Sequence, residues 1–180
     1  IEDELKDLIN LIKLENKNQY IRALAFRLYE SNGVQKRNEI NEIITKIEKE
    51  DRKQFRSLGI KIGRYHVFLP KMLKPKAVGL RILLWKFFNN NNNKNDIPKS
   101  GLNFLFDKNS QFNSRFLLLC GFERFKNFYI RVDILEKLFI KIIEKSKNGK
   151  FEIDSSMINL IGCTKENFFE LMKLMNYKKD

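Results

Sequence analysis

Two hydrophobic periods succeed one another along this chain, and they decide what it can fold into. Leu5, Leu8, Ile9 and Ile12 stand at i, i+3, i+4 and i+7, the spacing of one helix face. Ile21, Leu24, Ala25 and Leu28 predict a second helix that stops at Ser31-Asn32-Gly33, where glycine suits a left-handed helix end. Ile40, Ile43, Ile44 and Ile47 predict a third, and the stretch from Asp51 to Leu58 a short fourth ending at Gly59. The period then falls to two. Ile60 and Ile62, then Val67 and Leu69, alternate with Lys61, His66 and Phe68, and Gly63-Arg64 turns the chain between them. That pattern predicts a two-stranded hairpin. Pro70 and Pro75 punctuate the next few residues, and Leu80, Leu83, Leu84 and Phe87 lie in register on a strong helix.

Asn89 to Asn95 is an Asn tract with a single Lys, the composition of a low-complexity linker, and is expected to form an exposed, mobile loop. Ser100 to Asp107 shows no period. A helix near Asn113 to Cys120 precedes Gly121, and Phe122 to Val132 is again extended. Asp133 with Glu136 three residues on resembles a capping box, and Leu135, Leu138, Phe139 and Ile142 line the helix behind it. Asn148-Gly149 makes a turn, Ser155 to Ile161 a short helix, and Thr164 caps a last helix bearing Phe168, Leu171, Met172 and Met175.

An internal repeat underlies this order. Leu58-Gly59-Ile60 leaves a helix and enters an extended run, and Cys120-Gly121-Phe122 does the same. Without gaps, Val67-Phe68 then falls opposite Tyr129-Ile130, and Met175-Asn176-Tyr177 looks like a third such junction. Helix, short turn, helix and hairpin is the winged-helix pattern. The expected fold is mainly α with short β-hairpins, in two winged-helix-like or helical-bundle units. Residues 1–88 form the first, 89–99 the linker and 100–180 the second.

Charge is distributed as unevenly as period. The 180 residues carry 35 Lys and Arg against 22 Asp and Glu, a net charge of +13. Abundant Lys, Asn, Ile and Phe fit an A/T-rich genome, which raises Lys without selection for binding. Yet no acidic residue occurs between Arg52 and Asn95, a stretch that holds eleven Lys and Arg; the remainder holds 24 positive and 22 negative charges. Codon bias does not remove Asp and Glu from one stretch alone. A segregated basic surface points to nucleic acid or an acidic partner.

Several chemistries lack their residues. There is no G-x-x-x-x-G-K-S/T phosphate loop, no G-x-S-x-G elbow and a single histidine, His66. Cys120 and Cys163 are not in zinc-ligand spacing and make no disulfide framework, which suits a reducing, cytoplasmic setting. Apolar runs such as Phe116 to Cys120 are too short to span a bilayer, so no membrane partner is expected. The chain itself is expected to be non-catalytic, without metal or cofactor. It opens on Ile1 rather than Met, as a piece of something longer would, and no signal-peptide pattern is present.

The stretch from Leu58 to Trp85, LGIKIGRYHVFLPKMLKPKAVGLRILLW, resembles the C-terminal region of bacterial superfamily-two helicases related to the mitochondrial degradosome RNA helicase. Those proteins, common in alphaproteobacteria, carry L-G-V/I-R/K-F/I-G-R/A-x-x-V/I-F/Y-L/V-P-x-L-L-K-P and a helix ending in L-W. Gly59, Gly63, Arg64, Val67, Phe68, Leu69, Pro70, Leu73, Lys74, Pro75 and Trp85 match; Met72 stands where a second Leu is usual. IRALAFRLYESNGV upstream, and CGFERF and LIGCTKENFFELMKLMNYK downstream, resemble further segments of the family in the same order. Asn176 replaces the usual Gly before Tyr177, and the Asn tract replaces a Pro/Ala-rich connection. The resemblance implies an accessory region behind two ATPase lobes, which would hold ATP and magnesium in the parent protein and lie outside this sequence. It carries over no catalytic residue.

Together these readings predict an accessory module that holds or guides single-stranded RNA or DNA beside the ATPase core of its own polypeptide. Lys61, Arg64, Lys71 and Lys74 are the expected phosphate contacts, with Tyr65 or His66 to stack on a base. Simpler roles stand beside these: Arg64 as a turn residue, Pro70 and Pro75 as chain-direction devices, Trp85 as core. The alternative class is a protein-interaction scaffold whose basic surface docks on the helicase core or on an acidic partner such as a nuclease.

Overall fold

The computed structural model describes residues 2–13, 18–88, 98, 101–107 and 113–178. The chain is mainly helical, carries two small three-stranded antiparallel sheets, and forms two compact units, Ile1–Asn92 and Asn93–Asp180. The Asn tract, with the loop expected of it, lies outside the described residues.

In the first unit, α1 (Glu2–Lys13) and α2 (Gln19–Glu30) precede β1 (Val34–Lys36). A 3-10 turn (Asn38–Ile40), α3 (Asn41–Thr45) and α4 (Lys49–Ser57) lead to β2 (Lys61–Ile62) and β3 (His66–Phe68). A second 3-10 turn (Pro70–Leu73) then enters α5 (Pro75–Phe88). Asn18 opens α2 by accepting a hydrogen bond from the Tyr20 amide at 3.0 Å. Leu5, Leu8, Leu24, Leu28, Ile44 and Phe55 share one core with Val67, Leu69 and Met72, so the helical and strand periods converge on the same interior.

β3 is the central strand of its sheet, with β1 on one side and β2 on the other. Val34 and Lys61 both lie opposite Phe68, and Lys36 lies opposite His66. Because side chains alternate faces along a strand, burial of His66, Val67 and Phe68 means that β3 is covered on both faces.

The second unit begins with β4 (Phe104–Phe106), in the segment whose sequence shows no period. Then come α6 (Ser114–Leu119), β5 (Phe122–Phe125), β6 (Phe128–Arg131), α7 (Val132–Lys145), α8 (Ser155–Ile161) and α9 (Lys165–Leu174). β6 is central, between β4 and β5. Both sheets thus set their first and second strands on either side of the third. The hairpins also keep one register. Lys61 faces Phe68 and Ile62 faces Val67; Glu123 faces Ile130 and Arg124 faces Tyr129, each 62 residues on.

The junctions bear the same stamp. After α4, the Gly59 amide donates to Arg56 O at 2.9 Å and the Ile60 amide to Phe55 O at 3.0 Å. After α9, the Asn176 amide donates to Lys173 O at 3.0 Å and the Tyr177 amide to Met172 O at 2.9 Å. Both are Schellman ends, with Gly59 at φ +79° and Asn176 at φ +67°. Asn occupies the left-handed region more readily than other residues bearing a side chain, which is why it serves at this position.

Two local expectations change. α7 starts at Val132, and Asp133 does not cap it: its carboxylate accepts from the Arg131 guanidinium at 2.6 and 3.1 Å, and Glu136 is buried. α5 is turned about its axis. Arg81 and Ile82 are its buried residues, while Leu80, Leu83, Leu84 and Phe87 face solvent.

Candidate nucleic-acid interface

Among the described basic residues between Arg52 and Asn95, Arg52, Lys53 and Arg81 make the following contacts. The Arg52 guanidinium donates to the carbonyls of Ile44 at 3.0 Å and Ile47 at 3.2 Å, closing the end of α3. Arg81, 1% exposed, donates to Met72 O and Asn32 O. Lys53 pairs with Glu50 at 3.6 Å in a solvent-exposed contact worth little to stability. Lys94 lies outside the described residues.

Among the expected site residues, Lys61, Arg64 and Lys74 are exposed and Tyr65 and Lys71 half-buried. Arg64 and Tyr65 form the hairpin turn. The Gly63 amide donates to His66 O at 2.8 Å across it, and the Arg37 amide donates to Tyr65 O at 2.9 Å. Arg37 Nη1 adds a bond to Gly63 O at 2.7 Å. A cation from β1's far end therefore braces the turn, and Lys36 stands beside it on the edge strand. Lys61, opposite Phe68, lies at the other end of the hairpin, toward the turn that carries Lys71. The three residue steps between the two ends span roughly 10 Å. His66 is 1% exposed in the central strand, so its ring is not presented for stacking.

Arg37 and Lys36 escape a reading of the acid-free stretch because they precede it; the signal that finds them is the sheet partner of β3. A second feature unread in the sequence is a cleft of about 970 Å³ in the second unit, beside the 148–153 loop and α9. Phe151, Phe169 and Tyr177 line it together with Lys150, Lys173 and Lys178, and the Phe151 and Tyr177 rings meet edge to face at 5.3 Å.

Among the described residues, no group of three or more His, Cys, Asp or Glu side chains is placed to hold a metal, and no helix is long and apolar enough to cross a membrane. Burial pushes the Cys163 thiol up to about 11, so at neutral pH it is protonated and a poor nucleophile. No protein-family model matches the chain, and neither a curated protein nor a solved structure is similar to it.

Proposed function

We propose that this chain is a non-catalytic accessory module of an ATP-dependent helicase, and that its first hairpin holds a single strand of RNA or DNA beside the motor. The observation that carries the reading is the exposure of Lys61, Arg64 and Lys74 within a stretch devoid of carboxylates. Ammonium and guanidinium groups set along the hairpin and at the end of the turn after it contact successive phosphates and read no sequence. Tyr65, half-buried at the turn, offers the aromatic surface on which a base stacks.

In this reading each unit is a winged helix. The order helix, strand, helix, helix, strand, strand from α2 to β3, and the sheet order β1-β3-β2, support it in the first unit. The second unit supports it through its matching hairpin register. The motor, its nucleotide and its magnesium belong to the parent polypeptide, as the resemblance of residues 58–85 implies.

Titrating homopolymer RNA against the chain over a range of salt concentrations tests the proposal. Affinity should fall steeply with salt and be similar for different homopolymers. Salt-independent binding, or none, would defeat it.

A further inference from the structure

Among the described residues of the first unit, α5 presents a seam with no partner. At about 100° per residue, Leu80, Leu83, Leu84 and Phe87 occupy one arc about 100° wide. Leu83 is 63% exposed, Phe87 78% and the adjoining Phe88 77%. The opposite arc is the one that holds the helix in place: Arg81 and Ile82 are buried, Val78 and Trp85 half-buried. Turning the helix over would bury the leucines at the cost of Arg81's two bonds to backbone carbonyls. The outward seam is therefore a settled feature of the fold. Contiguous apolar surface of this kind marks an interaction site.

We propose that this seam docks an acidic amphipathic helix of a protein partner. The i, i+3, i+4, i+7 spacing is that of a groove filled by the side chains of a second helix. Charge selects the partner. Lys76 and Lys86 are α5's own flanking charges besides buried Arg81, Lys74 is exposed just ahead of it, and no carboxylate occurs from 52 to 95. Glu and Asp flanking the partner's apolar stripe satisfy these cations. A second copy of the chain would bring the same seam, lysines against lysines. An anionic membrane is a poorer match, because a helix lying in an interface keeps a charged face in water, whereas α5's second face is buried protein. The apolar seam is separate from the β2–β3 hairpin and owes nothing to strand binding, Lys74 being the one cation that borders both surfaces.

The probe is a synthetic peptide of about three heptads with Leu at the a and d positions and Glu at the flanking positions, beside a version with Lys in place of Glu. The chain should bind the acidic peptide and not the basic one. The double substitution Leu83→Ser, Phe87→Ser should weaken binding at least tenfold. Both side chains are exposed, and an unchanged thermal melt confirms that the variant folds. Failure to bind the acidic peptide, or equal binding by the variant, overturns the proposal. So does a dimer in sedimentation velocity, or binding to vesicles of phosphatidylcholine and phosphatidylserine, if either is abolished by the same double substitution.

Discussion

Arg81 Nη2 donates to the carbonyl oxygen of Met72 at 2.8 Å, inside the first unit. Its Nη1 reaches Asn32 O at 3.2 Å, so one buried guanidinium ties α5 to the turn after β3 and to the loop after α2. Leu at this position would fill similar space and donate nothing. A buried acceptor left without a donor costs about 1–3 kcal/mol. Arg81→Leu should therefore lower the unfolding midpoint in urea, while Arg81→Lys, with one ammonium, should lose less than Leu. A midpoint unchanged in Arg81→Leu would show that these bonds contribute nothing.

Gly33 tests the same joint from its other side. It sits at φ +80°, and a Cβ there would lie 2.7 Å from Met72 Cγ and 3.2 Å from Leu69 Cδ1. Gly59 has nearly the same backbone, φ +79°, with nothing within 4 Å. Both Ala substitutions carry the left-handed penalty of roughly 1–2 kcal/mol. Gly33→Ala adds overpacking of about 1–3 kcal/mol. Thermal melts should rank wild type above Gly59→Ala above Gly33→Ala; equal melts for the two variants would show that Met72 moves aside freely.

These joints explain which parts of the fold were legible in the sequence. The helices of both units show in the period of Leu and Ile, because burial of one stripe is a local pattern. Which stripe is buried is not local when both are apolar. α5 offered Leu80, Leu83, Leu84 and Phe87, and the choice fell to Arg81, whose acceptors come from Asn32 and Met72. β1 was invisible for a related reason. Val34-Gln35-Lys36 is too short to show alternation and exists because β3 has an edge to pair. β4 is likewise three residues, Phe104 to Phe106, with no polar alternation. At the site, exposed Lys61, Arg64 and Lys74 followed from charge alone. The burial of His66 did not, since only the unread β1 makes its strand central.

Acid should loosen the second unit at one identifiable point. Asp154 caps α8, accepting from the Met157 amide at 3.0 Å. Hydrogen bonds from Lys145, then from Ser156, hold its carboxyl well below the usual carboxylate range. A carboxylate whose folded pKa is depressed contributes stability above its unfolded value, ~3.9, and loses it as pH falls toward the folded one. Asp154→Asn keeps an oxygen for the cap and drops the charge. Its melting temperature should lie below that of wild type at pH 7, and the gap should narrow as pH is lowered from about 5 to about 2. A gap independent of pH would show that the ion pair with Lys145 is not its source.

The hairpin site calls for matched charge reversals chosen from the structure. Lys61, Arg64 and Lys74 are all exposed, so Glu at the three positions removes contacts without emptying a core. The control set comes from the second unit. Lys141 and Lys145 are unsuitable, since they donate to Ser156 and Asp154 and their loss would disturb α8. Lys137, Lys147 and Lys165 are exposed and serve instead. Both sets change net charge equally. On single-stranded RNA each lost phosphate contact removes about 0.7 from the slope of log affinity against log salt, so the hairpin set should flatten it by about 2. The control set should lower affinity modestly and leave the slope nearly intact. Equal flattening by the two sets would mean that the strand responds to net charge and not to the hairpin.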